Sequence, residues 1–286
     1  MLIKRMLKLY FRDKAAVFFS LMLVLIIFLL HIAFIGRMMA QGLEAMLGFS
    51  DPAIYATMSS LTLGGLIAIS SMTTSLGALG TYVLDREKGT KDFLTSPVSR
   101  RSLTLSYIGG AGIIGFIMSC IALLIAIIYL TSTGLPFIGF ANIGLLLIVT
   151  VLSVFCSSSL MFFLIQFIKT ENAFSSFSAI IGSTMGFFMG IFIPIGNLPS
   201  PVQWFIRIFP PSHAATMYKQ VFAGTQIDTL FYNAPVYQVT NFREFHGVDL
   251  VFDTHILGFW SSAAVLLLSG CLFFILSLII VRNRKI

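Results

Sequence analysis

The chain has 286 residues, 57% of them hydrophobic and 10% charged, with a formal net charge of +7 and a mean hydropathy of +0.96. Such a composition excludes a soluble globular domain. The positive charge calls for no nucleic acid, because the basic residues form short clusters beside apolar runs rather than one face of a nucleic-acid-reading module; anionic lipid headgroups are their natural contact.

A spanning helix takes about 20 mainly apolar residues, and six segments meet that need: 15–36, 57–80, 104–130, 139–165, 174–194 and 256–281. The expected fold is therefore an all-α polytopic membrane protein with six transmembrane helices, an N-terminal interfacial helix and an outer re-entrant segment. Residues 1–14 set Leu2, Met6 and Leu9 at helical spacing against Lys4, Arg5, Lys8 and Arg12, the pattern of an amphipathic helix lying in the interface. The apolar run Ala15 to Ile35 is too long for the core of a cleaved signal peptide and reads as a signal anchor. Residues 37–56 form a short outer connection with Arg37, Glu44, Asp51 and Pro52.

Span two is rich in hydroxyls, Ser70, Ser71 and Thr74 among them, which suits a helix that faces partners or a pathway rather than lipid. Cys156 with Ser157–Ser159 in span four, and Ser175, Ser176, Ser178, Ser183 and Thr184 in span five, continue this trend. Gly182, Gly186 and Gly190 make two overlapping G-x-x-x-G spacings, a ridge for close helix packing within or between subunits. Residues 195–255 carry Pro199, Pro201, Pro210, Pro211 and Pro235, together with Val202–Phe209, an apolar piece too short to cross a bilayer. A re-entrant or interfacial helix fits it, with Trp204, Phe231, Tyr232 and Tyr237 at headgroup level.

Charge sets the orientation. Fourteen of the 18 Lys and Arg fall at the N-terminus, between spans two and three, at Lys169 and after span six; only Arg37, Arg207, Lys219 and Arg243 fall on the other side. Both termini are thus expected in the cytoplasm of a bacterial inner membrane. The cysteines, Cys120, Cys156 and Cys271, lie inside spans, which leaves no loop disulfide.

Motifs for chemistry are missing. Gly110, Gly112 and Gly115 fit G-x-G-x-x-G but sit in a membrane run with no preceding strand, and Glu87-Lys88-Gly89-Thr90 lacks the rest of a phosphate loop. His31, His213, His246 and His255 form no ligand pair. No catalytic, cofactor or metal site is expected, and no span holds a central carboxylate for ion coupling.

The informative polar stretch runs from Leu84 to Arg101. Asp85-Arg86-Glu87-Lys88-Gly89-Thr90 followed by Ser96-Pro97-Val98-Ser99-Arg100 resembles the cytoplasmic signature of ABC-2-type permeases, and Phe209-Pro210-Pro211-Ser212-His213-Ala214-Ala215 resembles their outer segment before span six. The resemblance covers nearly the whole chain and implies a half-transporter that pairs with a second permease, as a homodimer or with a relative. A separate cytoplasmic ATP-binding subunit would hold ATP and Mg and do the hydrolysis. It implies that residues 84–97 include the coupling helix, with Asp85, Arg86, Glu87, Lys88, Gly89 and Thr90 as contacts and Glu87 as the charged anchor. Spans two and five would flank the interface and pathway, and Pro210, Pro211 and His213 would form the turn of an outer gate. The implied cargo is an amphiphilic drug, antibiotic or peptide. The alternatives are a polysaccharide or lipid-linked glycan, and a non-transporting membrane immunity or sensory protein.

Overall fold

In a computed structural model, residues 2–87, 100–133, 139–252 and 255–283 are described. An amphipathic helix α1 (Leu2–Arg12) leads into α2 (Lys14–Leu30), which continues through a π-helical turn at His31–Ile35 into α3 (Gly36–Leu47). Gly48, in the left-handed region at φ 78°, closes α3 by donating its N–H to the Glu44 carbonyl at 2.8 Å. The first span is thus continued by helix beyond Ile35. The stretch expected as an outer connection is α3 plus the first turn of α4 (Pro52–Glu87), where Asp51 Oδ1 accepts from the Ala53 N–H and Pro52 needs no partner.

At 36 residues α4 is about 54 Å long, well beyond a hydrocarbon core of about 30 Å. It is the axis of the bundle: α2, α3, α5 (Arg100–Ser132), α6 (Phe140–Ile165), α7 (Glu171–Phe188) and α9 (Pro210–Leu230) all pack on it. Its most apolar window is 89% buried, against 22% for the first span and 17% for α11 (Phe259–Asn283), which places the hydroxyl-rich helix inside and the uniformly apolar ones outside. Among the described residues five helices are long and apolar enough to cross a membrane.

The fifth expected span, 174–194, stops early. Helix α7 ends at Phe188, and Gly190 at φ 63° closes it: the Ile191 N–H reaches back to the Gly186 carbonyl and the Gly190 N–H to that of Phe187, both at 3.0 Å. These two bonds are a Schellman cap. Beyond it come a short 3-10 turn, α8 (Ser200–Ile208, overlapping the expected re-entrant piece), α9 and α10 (Val236–Phe245). The all-α expectation gains one exception, an antiparallel hairpin of β1 (Leu250–Phe252) and β2 (His255–Leu257). A second apolar core, with Leu43, Ile54, Met58, Ile227, Phe231 and Phe242, joins α3, the start of α4, the end of α9 and α10.

Candidate functional site

Three consecutive residues end α4, and successive helical side chains point about 100° apart. Asp85, Arg86 and Glu87 therefore fan out to different neighbours. The Asp85 carboxylate accepts both arms of the Arg5 guanidinium, at 3.0 and 3.3 Å, and the Tyr107 hydroxyl at 2.6 Å. It thereby ties α1 to α4 and α5, and the hydrogen bond to Asp85 raises the Arg5 pKa further. Beneath this pair Met6 rests on Gly110, where a side chain would collide with its sulfur. The Tyr10 hydroxyl bonds Ser20 at 2.5 Å, fixing the other end of α1 to α2.

Arg86 Nη1 donates to the carbonyls of Gln166, at 2.8 Å, and Ile168, at 3.1 Å. These groups follow the last turn of α6, where backbone acceptors lack helical donors and the macrodipole is negative. Glu87 does the converse. Its carboxylate accepts the Glu171 N–H at 2.6 Å, at the first residue of α7, beside the Thr170 hydroxyl that accepts from Ala173. A carboxylate at a helix N-terminus satisfies a free donor and meets the positive end of the dipole. One tripeptide thus binds α1, α5, the C-terminus of α6 and the N-terminus of α7. Lys88, Gly89 and Thr90, expected beside it, lie outside the described residues, as does Pro97.

The remaining expected positions sit elsewhere. Ser70, Ser71 and Thr74 are fully buried within the bundle. Ser71 bonds Ser153 of α6 at 2.5 Å, while the Thr74 hydroxyl donates to the Ser70 carbonyl. Of the glycine ridge, Gly182 faces Leu23 of α2, Gly186 receives the ring of Phe192 from the following turn, and Gly190 is the cap. The ridge does not run on through its third glycine, because the helix has ended. Pro210 and Pro211 open α9, and Ser212 donates to the carbonyls of Ile206 and Phe209. His213 is buried; its Nε2 bonds the Arg207 carbonyl at 3.0 Å, and burial lowers its pKa. These four residues fold α8 back against α9.

Two features had no signal in the sequence. Lys219, on α9, is completely buried. Arg207–Glu244 and Arg243–Asp249 are ion pairs, at 3.2 and 2.6 Å, that knit α8, α10 and the loop before β1.

Among the described residues no group of His, Cys, Asp and Glu is placed to hold a metal. Among the described residues five helices are long and apolar enough to cross a membrane, and the hydroxyl-rich axial one among them ends in a polar tripeptide that clasps four neighbours; together they define a multi-pass helical membrane protein. The model of the family described as ABC-2 family transporter protein matches residues 48–279, most of the chain, so the protein belongs to the ABC-2 family and is a membrane permease of that family. No curated protein matches the chain.

Proposed function

We propose that the chain is the permease subunit of an ATP-driven exporter in a bacterial cytoplasmic membrane, with the basic end of α4 in the cytoplasm. A separate ATP-binding subunit docks on the segment that begins at Asp85, a second permease completes the transporter, and an amphiphilic drug, antibiotic or peptide-like substrate moves outward. The observation that carries this reading is the three-way clasp at Asp85-Arg86-Glu87, which joins the start of the coupling segment to α1, α5, α6 and α7.

Closure of the ATPase subunits on ATP supplies the differential binding that drives the change. A displacement of the end of α4 is passed by Glu87 to the N-terminus of α7 and by Arg86 to the end of α6, while Asp85 carries α1 along. Helix α7 is the element this arrangement moves toward the pathway. Its exposed flank mixes Asn172, Ser175, Ser176 and Ser183 with Ile180 and Phe187, an amphiphilic surface suited to a partner subunit or cargo. The spans carry almost no charge, which favours an amphiphile over a strongly ionic cargo.

Purification with the ATP-binding subunit, followed by ATPase assays in lipid against amphiphiles, peptides and glycans, tests the reading. Turnover stimulated by amphiphiles and uncoupled by Glu87→Ala supports it. Stimulation by glycans alone moves the cargo to polysaccharide, and failure to bind any ATP-binding subunit removes the transport reading in favour of a scaffold or sensor.

A further inference from the structure

Lys219 is the least expected side chain in the molecule. It lies halfway along α9 with no exposed surface. A buried ammonium is costly unless it is paired, yet among the described residues its hydrogen bond is to a backbone carbonyl, that of His246 at 2.9 Å. Three glycines make room for it. A Cβ on Gly64 of α4 would stand 2.9 Å from the Lys219 backbone nitrogen, so α4 and α9 approach to backbone contact there. Gly190 and Gly247 are both left-handed, at φ 63° and 65°, and a Cβ on them would lie 3.1 and 3.6 Å from Nζ. The backbone and stem of Lys219 therefore lie against α4, and its amine sits between the α7 cap and the end of α10.

Ile195 shares this neighbourhood. Ile195 crowds the same two glycines: a Cβ on Gly190 would lie 3.1 Å from Ile195 Cγ1, and one on Gly247 would collide with Cδ1. On its other side Ile195 lines a cleft of about 270 Å³, walled by Gln203, Arg207, Asn241, Glu244 and Asp249.

We propose that Lys219 is a positioning residue for transport: it locks the Met189–Ile191 turn to the His246–Gly247 turn, and the lock opens when Ile195 withdraws and Nζ takes a proton from water in the cleft. Burial favours the neutral amine in the closed state and pushes its pKa down to about 7, whereas a solvated lysine keeps its ordinary value of about 10.4. Between these limits opening takes up a proton, so a fall in pH favours opening. The groups facing the amine permit this. From α10 comes the His246 imidazole, which burial keeps neutral. On α9 itself His213 bonds the Arg207 carbonyl and Tyr218 bonds Thr150. Ahead of β1, Asp249 is engaged by Arg243 and Gln220. The stretch of α4 around Gly64 and the turn from Met189 to Ile195 contain no titratable side chain.

The consequence for transport rests on the exporter reading above, but the lock can be tested without it. Full-length protein in phosphatidylethanolamine–phosphatidylglycerol nanodiscs is labelled with acetic anhydride over a pH series, with peptide mass spectrometry, and amide protection is measured in parallel. Lys219 should acetylate at least about tenfold more slowly than Lys14 or Lys169, and Ile195→Ala should raise its rate about tenfold while leaving theirs unchanged. Protection of amides 186–191 and 246–248, corrected for intrinsic exchange, should fall between about pH 8.5 and about pH 6.5 in the native protein but not in Lys219→Met. Labelling of Lys219 as fast as the surface lysines, or the same pH dependence in native protein and variant, overturns the proposal. If Lys219→Met does not accumulate, Lys219→Gln and the native labelling profile decide it. A pH-dependent lock without cargo-stimulated turnover would defeat the exporter reading and leave the lock standing.

Discussion

The Glu87 carboxylate accepts the backbone N–H of Glu171 at 2.6 Å, so the last residue of one helix caps the first turn of another that lies 84 positions further along the chain. Glu171 adds its own carboxylate to the same turn. Two acidic side chains thus meet one helix dipole, and only Glu87 links it to α4. Both residues are exposed, which limits what the bond adds to stability. Glu87→Gln and Glu87→Ala are expected to cost no more than about 1 kcal/mol of folding stability, seen as a small fall in Tm. Their effect on coupling should be much larger. Glu87→Ala should keep basal ATPase activity in the complex while cargo stimulation drops several-fold, and Glu87→Gln should fall between, since its amide oxygen still accepts. Equal loss of basal and stimulated turnover would mean that Glu87 merely supports assembly.

The Arg5–Asp85–Tyr107 group makes a different prediction. Arg5 is 45% exposed and Asp85 only 19%, so the ion pair itself is screened while the carboxylate depends on both donors. A double-mutant cycle between Arg5→Gln and Asp85→Asn should give a coupling energy of about 1 kcal/mol or less, shrinking with added salt. Tyr107→Phe should persist in its effect at high salt, because its hydrogen bond to the carboxylate is less exposed. The readout is thermal unfolding at low and high ionic strength. Salt-independent coupling across the whole set would argue against an interfacial ion pair.

The spans were legible because composition alone reports them: the fourth was expected at 139–165 and is Phe140–Ile165. The fifth failed at one residue. Gly190 has the spacing of a packing ridge and the conformation of a helix cap, and spacing cannot distinguish these uses. Polar 37–56 looked like a loop because it carries Arg37, Glu44 and Asp51, yet those residues are ordinary helix and cap positions. At the clasp the sequence marked Asp85, Arg86 and Glu87 as charged and therefore as contacts for a soluble partner. Most of their partners, Arg5, Gln166, Ile168 and Glu171, are about 80 residues away, and no local pattern reveals that α1, the end of α6 and the start of α7 meet beside them. Lys219 counted only as an outer basic residue, because its burial comes from Gly64 of α4 and from two turns distant in sequence.

Gly190 and Gly224 offer a paired test of that distinction. At Gly190 a side chain must occupy the left-handed region, costing about 1–2 kcal/mol, and would also press on Ile195 and Lys219. Gly224, inside α9, has nothing within 4 Å of an added Cβ. Gly190→Ala should therefore lower Tm, while Gly224→Ala should raise stability by up to about 1 kcal/mol through reduced backbone entropy in the unfolded chain. If both substitutions were neutral, the cap at the end of α7 would not be holding the turn that follows it.

The region around α9 and α10 should also be sensitive to acid. Burial pushes the His246 imidazole down to about 4, with its Nδ1 against the Phe242 carbonyl. The unfolded chain titrates near 6.5. Between these values the unfolded state binds more protons than the folded one, so stability increases with pH across the window. The contribution is complete above about pH 6.5 and is lost as pH falls toward about 4, with a slope of up to about 1.4 kcal/mol per pH unit for one proton. His246→Asn removes the titration and retains a polar side chain beside Phe242. Thermal unfolding of native protein and variant between about pH 4 and about pH 7 should converge at the acid end, the native protein losing more. Carboxylates titrate in the same range but are common to both proteins, so parallel pH profiles would show that His246 carries no part of the acid sensitivity.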